Sequence, residues 1–349
     1  MKKLKNLKLR NKRVLVRCDF NVPLDEQGNI LDDFRISQSL ETINYLIKKK
    51  AKVILMSHLG RPQGKVVEKL RLEPIRARLQ EYLRFEITQA PDCIGQATKD
   101  MVNQMKPDQV LLLENLRFHQ EEKENDDNFS RVLASLGDVY INDAFGVSHR
   151  EHASVVGITK YLPSVLGFLL EKEIVSLSHL IKNPKRPVVA VIGGSKVETK
   201  IKMIDKISLI ADFVLIGGLL NKAIMGEKIK LVHPEKIIVP VDETGGGKDI
   251  GSRTAELFRE KIMSAKTVFF NGVLGMVEKE EFSFGTEEIL SAIIESQAFS
   301  VVGGGDMTGI INKLNMIDKF NHVSTGGGAM LAFLSGDKLP GIEALKNNG

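Results

Sequence analysis

Four segments in the first half of the chain place a basic side chain a few positions after a short apolar run. They are Arg17-Cys18-Asp19-Phe20-Asn21-Val22-Pro23, Ser57-His58-Leu59-Gly60-Arg61-Pro62, Glu114-Asn115-Leu116-Arg117-Phe118, and Asn142-Asp143-Ala144-Phe145-Gly146 with His149-Arg150 beyond it. Arg35 follows the first, within Asp32-Asp33-Phe34-Arg35. A guanidinium is a planar fork matched to carboxylate and phosphate oxygens. Arg35, His58, Arg61, Arg117, His149 and Arg150 gathered at one place would therefore suit a small ligand with more than one anionic group. Each alone has a plainer explanation: Asp32 or Asp33 can pair with Arg35, Glu114 with Arg117, and a lone histidine is more often structural. Recurrence after four successive runs is what scattered loop residues do not explain.

In the second half glycine replaces arginine. The corresponding segments are Gly193-Gly194-Ser195-Lys196, Gly217-Gly218, Asn271-Gly272, Gly303-Gly304-Gly305-Asp306 and Ser324-Thr325-Gly326-Gly327-Gly328. Glycines that open helices let backbone N–H groups approach phosphate oxygens, and the helix N-terminus adds its dipole. Lys196 and Lys200, at i and i+4, share one helix face. This pattern points to a nucleotide-phosphate site. The P-loop pattern G-x-x-x-x-G-K-[ST] is absent, and no G-x-G-x-x-G follows the first strand. No Cys/His cluster at ligand spacing supports a transition metal. Asp306 beside phosphates points instead to magnesium held mainly by water and phosphate.

These residues must be delivered by regular elements. Apolar runs at Val14–Arg17, Val53–Met56, Val110–Leu113, Val139–Ile141, Val188–Ile192, Phe213–Ile216, Lys236–Val241, Thr267–Phe270, Phe299–Val302 and His322–Ser324 predict strands. Being apolar throughout rather than alternating, they suit parallel sheets covered on both faces. Helical stretches at Ile36–Lys49, Glu68–Leu83 and Thr286–Gln297 fall between them at βαβ spacing. The fold class is α/β, with two doubly wound parallel-sheet domains joined by a hinge helix. A helix over Phe168–Ile181, stopped by Pro184 and Pro187, marks the junction. The expected division is an N-terminal domain at 1–166, a helix and linker at 167–187, a C-terminal domain at 188–330 and a final segment at 331–349. Ligands of such sheets bind beyond the carboxyl ends of the strands, where all the segments above lie.

The chain's 349 residues fit two domains at roughly 150 residues each. No apolar run approaches the ~18–20 residues of a membrane span. Cys18 and Cys93 make no disulfide framework, so a reducing compartment, the cytoplasm, is expected. The net charge of +5 is misleading: residues 1–13 hold seven basic residues and no acid, which leaves −2 for the rest. A solvated basic N-terminus leading into the first strand is expected. A nucleic-acid arm is the alternative, disfavoured by the absence of Trp and by only four Tyr for base stacking.

Taken in order, these motifs resemble those of the phosphoglycerate kinase family almost end to end, including Gly193-Gly194-Ser195-Lys196-Val197 with Lys200 and Ser324-Thr325-Gly326-Gly327-Gly328-Ala329. The resemblance implies two domains facing each other across a cleft, 3-phosphoglycerate on the first and Mg-ATP or Mg-ADP on the second. It also implies a chain end, around Leu339-Pro340-Gly341, that returns to the N-terminal domain. It implies substrate contacts from Asp19, Phe20, Asn21, Arg35, His58, Leu59, Gly60, Arg61, Arg117 and Arg150. Nucleotide contacts are implied for Gly193, Lys196, Lys200, Gly217, Asn271, Glu278, Gly304, Gly305, Asp306 and Met307, with Glu278 at the ribose and Asp306 at Mg2+. Arg35, Lys200, Gly304 and Gly327 are the implied catalytic set. The expected reaction is reversible phosphoryl transfer between 1,3-bisphosphoglycerate and ADP, by a cytoplasmic monomer with neither nucleic acid nor membrane as partner.

The sequence departs from the family in the nucleotide half. Gly217-Gly218 runs into Leu219-Leu220 where three small residues are usual, and Phe270-Asn271-Gly272-Val273 stands for Trp-Asn-Gly-Pro. The stretch between Met225 and Asp249 is shorter by a few tens of residues, on the adenine side. A phosphoglycerate-binding regulatory protein with weak catalysis is the alternative reading.

Overall fold

The computed structural model describes residues 3–194 and 197–347. They form two compact units, one of residues 3–172 with 338–347, the other of residues 173–194 with 197–337. In chain order the strands of the first unit are β1 (Arg13–Arg17), β2 (Lys52–Met56), β3 (Ile87–Gln89), β4 (Val110–Leu112), β5 (Val139–Asn142) and β6 (Ser164–Leu166). They make one sheet in the order β3-β4-β2-β1-β5-β6, every ladder parallel.

Successive residues Val14, Leu15 and Val16 are all fully buried, as a strand covered on both faces requires. The helix Phe34–Lys48 covers one face with Phe34, Ile36, Ile43 and Leu46. Leu4 and Leu9 are buried too, so from Lys3 on the basic N-terminus is fastened to the unit by its leucines.

The second unit holds β7 (Val188–Ile192), β8 (Phe213–Ile216), β9 (Ile237–Ile238), β10 (Glu243–Thr244), β11 (Asp249–Ile250), β12 (Thr267–Asn271), β13 (Phe299–Gly303) and β14 (His322–Ser324). Its main sheet runs β14-β13-β12-β7-β8-β9, again wholly parallel, while β10 and β11 form a small antiparallel pair.

Two expectations are corrected. The helix expected over Glu68–Leu83 is a 3-10 turn, Glu68–Leu70, followed by the helix Glu73–Leu83 with Pro74 in its first turn. Proline disfavours helical geometry in the residue before it, so the helix starts there rather than running through. The strand expected over Lys236–Val241 pairs only at Ile237–Ile238; Pro240 lacks the N–H a longer ladder needs. The three-residue strands β3 and β6 and the β10/β11 pair carry too short an apolar pattern to be read from the sequence.

The helix Phe168–Lys182 contains the unit boundary, between Lys172 and Glu173. Its first turn is capped by Asp143, whose Oδ1 accepts the N–H groups of Leu169 (2.9 Å) and Leu170 (3.3 Å). Burial pushes this carboxyl up to about 7. At its far end the chain returns to the first unit as the helix Pro340–Asn347, burying Ile342 and Leu345. The Gly341 N–H donates to the Ser148 carbonyl at 2.9 Å. A Cβ at Gly341 would sit 2.6 Å from Val155 Cγ1 and 3.2 Å from Ser148 Cα. Gly341→Leu is therefore expected to lower the urea midpoint by the equivalent of about 1–3 kcal/mol of overpacking; an unchanged midpoint would show that the C-terminal helix adds nothing to the unit.

Candidate active site

Parallel register brings the chemistry together. Arg17 pairs with Met56 and with Asn142, so the segments starting at Cys18, Ser57 and Asp143 leave the first sheet side by side. At this edge Arg17 is fully buried. Its Nε donates to Ser154 Oγ (2.9 Å), and Ser154 Oγ in turn donates to Glu122 Oε1 (2.6 Å). Its Nη2 lies 3.1 Å from His58 Nδ1. A guanidinium only donates, so Nδ1 must accept, and the neutral ring carries its proton on Nε2. Burial and the charges of Arg17, Arg117, Arg150 and Arg35 hold His58 well below the ordinary histidine value, which keeps the ring neutral.

Asp19 Oδ2 accepts from Arg35 at 3.2 Å, and the same nitrogen reaches the Asn21 carbonyl at 3.0 Å. The Asn21 side chain accepts the Gly60 N–H at 2.7 Å. Arg117 donates one bond, from Nη1 to the Gly60 carbonyl (2.8 Å), while its buried Nε and Nη2 find no protein acceptor. Burial, Arg150 and Arg17 depress Arg117 to about 10, and burial likewise lowers Arg150. A cavity of about 290 Å³ is lined by Arg61, Gln63, Arg117, Lys123, Arg150 and His152. Buried cations that lower one another's affinity for protons, two of whose donors lack a partner, form a site short of negative charge.

In the second unit Asn271 pairs with both Ile192 and Gly303, and Gly303 with Ser324. That places Gly193, Gly272, Gly304 and Thr325 in a row at the strand ends. The sheet's connections diverge on either side of β7 and β12, where such folds bind their ligands. Here the two loops touch: a Cβ on Gly193 would lie 2.1 Å from the Val273 carbonyl oxygen. Gly304 has φ +125°, a conformation reserved for glycine, and starts the helix Gly305–Lys313. The helix Gly327–Leu334 begins alongside, with the position of a Gly327 Cβ 3.8 Å from the Gly305 nitrogen. Two helix N-termini thus point their unsatisfied N–H groups at one spot.

Lys200 is buried, and its Nζ donates to the side chain of Asn271 and, at 3.2 Å, to its carbonyl. A cavity of about 280 Å³ adjoins these turns, lined by Gly194, Gly217, Leu219, Leu220, Val273, Leu274, Gly275, Met276, Glu278 and Asp306. Asp306 is an exposed carboxylate on a first helical turn. One hard oxygen ligand beside a phosphate-binding turn fits magnesium, which keeps most of its waters and takes phosphate oxygens. The Thr325 turn is anchored from the helix Phe168–Lys182. Glu173, fully buried, accepts the Thr325 N–H (2.7 Å) and hydroxyl (2.8 Å) and lies 2.6 Å from His322 Nε2.

The structure brings Arg61, Arg117 and Arg150 to one cavity and Gly217, Glu278 and Asp306 to the other. Other residues named from the sequence are placed differently. Phe20 and Leu59 are packed in the core, with N–H groups spent on Ser57 and Asn115. Asn271 stands behind Lys200, its amide tied to the Gly303 carbonyl at 3.1 Å, and the Met307 side chain is fully buried. Lys196 lies outside the described residues. Gln63, Lys123 and His152 line the first cavity and were not anticipated. His152, two residues past His149-Arg150, was the one with a signal.

Burial, together with Arg17, Arg117, Arg150 and Lys123, lowers His152 to about 3. His58 and His152 are therefore neutral when folded but take up protons near 6.5 when unfolded. Protonation favours the unfolded chain, so stability falls as the pH drops below about 6.5, by at most about 1.4 kcal/mol per pH unit for each ring. Asp143, pushed up to about 7, takes up a proton when folded and opposes this slope, so the check is a difference: urea midpoints should fall less with decreasing pH in His152→Gln than in the wild type, and an equal slope in the variant would count against the assignment.

Comparison with known proteins follows this geometry. The family model for phosphoglycerate kinase matches residues 4–230 and 225–337, two matches whose junction lies in the stretch read above as shortened. The phosphoglycerate kinase of Moorella thermoacetica is 42% identical over 386 residues, covering 98% of each chain, and that of Aquifex aeolicus is 44% identical over 385, covering 97% of this chain and 96% of its own. An alignment of 386 positions exceeds the 349 residues of this chain, so residues of the relative have no counterpart here. The crystal structure of phosphoglycerate kinase from Pyrococcus horikoshii superposes with a TM-score of 0.91 at 32% identity, covering 100% of this chain and 99% of that one. The Coxiella burnetii phosphoglycerate kinase structure gives 0.81 at 33%, covering 99% and 98%. With the motifs, the paired parallel sheets and these matches over nearly its whole length, the chain belongs to the phosphoglycerate kinase family.

Proposed function

We propose that the chain transfers a phosphoryl group reversibly between 1,3-bisphosphoglycerate and ADP, giving 3-phosphoglycerate and ATP, as an ATP:3-phosphoglycerate 1-phosphotransferase of glycolysis. Family membership supports this, and the observation that carries it is the pair of unpartnered guanidinium nitrogens on Arg117, in a cavity shared with Arg61 and Arg150. A small ligand with a phosphate and a carboxylate supplies the acceptors these donors lack. Arg61, Arg117, Arg150 and the His58 Nε2 proton hold it. Asp19 and Asn21 position Arg35 and Gly60.

The nucleotide belongs to the second unit, its phosphates at Gly193, Gly217, Gly304, Gly305, Met307 and Lys200 and its ribose at Glu278. Asp306 would hold magnesium, which would supply neutralisation of charge on phosphate oxygens. In the forward direction a phosphate oxygen of ADP attacks, and in reverse a carboxylate does. Neither loses a proton, so no general base is needed. Catalysis consists of in-line placement and stabilisation of charge on the transferred group. Arg35, Lys200 and the N–H groups at the Gly304 and Gly327 helix starts perform it.

Donor and acceptor held on separate units require a hinge motion, carried by the helix Phe168–Lys182, whose ends belong to different units. The same reading gives a cytoplasmic monomer. Lys200, Asp306 and both glycine-rich turns are present, and nothing in the site favours the regulatory alternative.

A coupled assay with 3-phosphoglycerate, magnesium and several nucleoside triphosphates should show turnover; none with any nucleotide in folded protein would overturn the proposal. Arg35→Ala should lower kcat by about 10²–10³, as loss of a charge-stabilising donor does, with an unchanged circular dichroism spectrum. A near-wild-type kcat would remove Arg35 from the catalytic set.

A further inference from the structure

A second group of reactive side chains lies in the first unit, apart from the residues assigned above. Asp92 and Cys93 follow β3, and His119 precedes the helix Gln120–Glu124. The chain separates His119 from Asp92 by 27 positions, yet His119 Nε2 is 2.7 Å from Asp92 Oδ1. One carboxylate oxygen, one ring nitrogen and the Cys93 sulfur lie within 4.8 Å of one another.

The group is held in place. Asp92 Oδ1 accepts the Cys93 N–H at 2.6 Å, and the Asp92 carbonyl accepts the Thr98 hydroxyl at 2.9 Å. The imidazole packs on the Phe129 ring, with centroids 5.5 Å apart. The Asp92 side chain is 43% exposed and His119 23%, while Cys93 is fully buried, so the trio opens to solvent on the side of the carboxylate and the ring.

An ion pair accounts for His119 and Asp92 but not for the thiol beside them. The Cys93 side chain is fully buried, with the Asp92 carboxylate and the His119 ring as its polar neighbours. A thiolate, an imidazole and a carboxylate together are the donor set of a borderline-soft divalent ion.

We propose that Asp92, Cys93 and His119 bind a divalent transition metal of the Zn2+ class, with solvent as the fourth ligand. On binding, the Cys93 thiol releases its proton to solvent, the proton that His119 Nε2 donates to Asp92 leaves that nitrogen so that the neutral ring carries its proton on Nδ1, and Nε2 turns from Asp92 to the metal. No electron is transferred. Bond lengths of about 2.0–2.3 Å around one ion require the distance to the sulfur to close by about 1 Å and the 2.7 Å His119–Asp92 contact to open, movements within the reach of the two solvent-facing side chains. The bound ion would fasten the β3 loop to the segment that carries Arg117, two residues before His119. The role is structural, and phosphoryl transfer does not depend on it.

Cobalt(II) titrated into metal-free full-length protein tests this. Expected are one equivalent bound with a thiolate-to-cobalt charge-transfer band, displaced by zinc. Cys93→Ser should abolish the band and Cys18→Ser keep it. His119→Gln should weaken binding by about tenfold or more, since even outer-shell changes cost that much. A missing band in the wild type, a band that survives Cys93→Ser, or unchanged affinity in His119→Gln would each overturn the site. Should Cys93→Ser fail to fold, His119→Gln and Asp92→Asn decide it, because unchanged affinity in both is incompatible with coordination.

Discussion

The constraint on which the rest depends is parallel pairing. A parallel sheet carries the carboxyl end of every strand to the same edge. One register, Arg17 opposite both Met56 and Asn142, makes neighbours of segments that lie far apart in the chain. The same holds for Asn271 between Ile192 and Gly303. The site follows from the ladders, because no local element could gather these residues.

Charge is the second constraint. Arg17 is the largest fully buried side chain of the first unit, and burying a guanidinium is tolerable only with partners. Ser154, the Cys18 carbonyl and His58 Nδ1 supply them. The arginines nearer the surface are left incomplete. Among the described residues Arg117 has a single acceptor for its guanidinium, and Arg150 meets the ring nitrogen of His149, at 3.3 Å. The difference is whether each guanidinium nitrogen has a partner: all three of Arg17 do, while two of Arg117 do not.

The second unit relies more on backbone than on charged side chains. Close approach of the Gly193 and Gly272 loops and paired helix starts at Gly304 and Gly327 concentrate N–H groups beside one buried cation, Lys200. Its cavity wall is largely apolar, with Leu219, Leu220, Val273, Leu274 and Met276. The two family-model matches meet in the same unit, at residues 225–230, shortly before β9 with its two paired residues.

Much of this was legible in the sequence. Apolar runs located the principal strands, and residue types after each run separated an arginine-lined site from a glycine-lined one, because strand periodicity and the needs of phosphate are both local. Tertiary structure decided the rest. Phe20 and Leu59 sit in a binding motif yet belong to the core, and Asn271 serves Lys200, because motif membership does not say which way a side chain faces. His152, Lys123 and Gln63 entered the cavity by loop packing that no spacing rule encodes. No transition-metal spacing is visible between Cys93 and His119, since only the fold closes the intervening chain. What the sequence determined alone was which chemistry leaves each strand; which atoms meet, and which donors stay unpaired, depended on long-range packing.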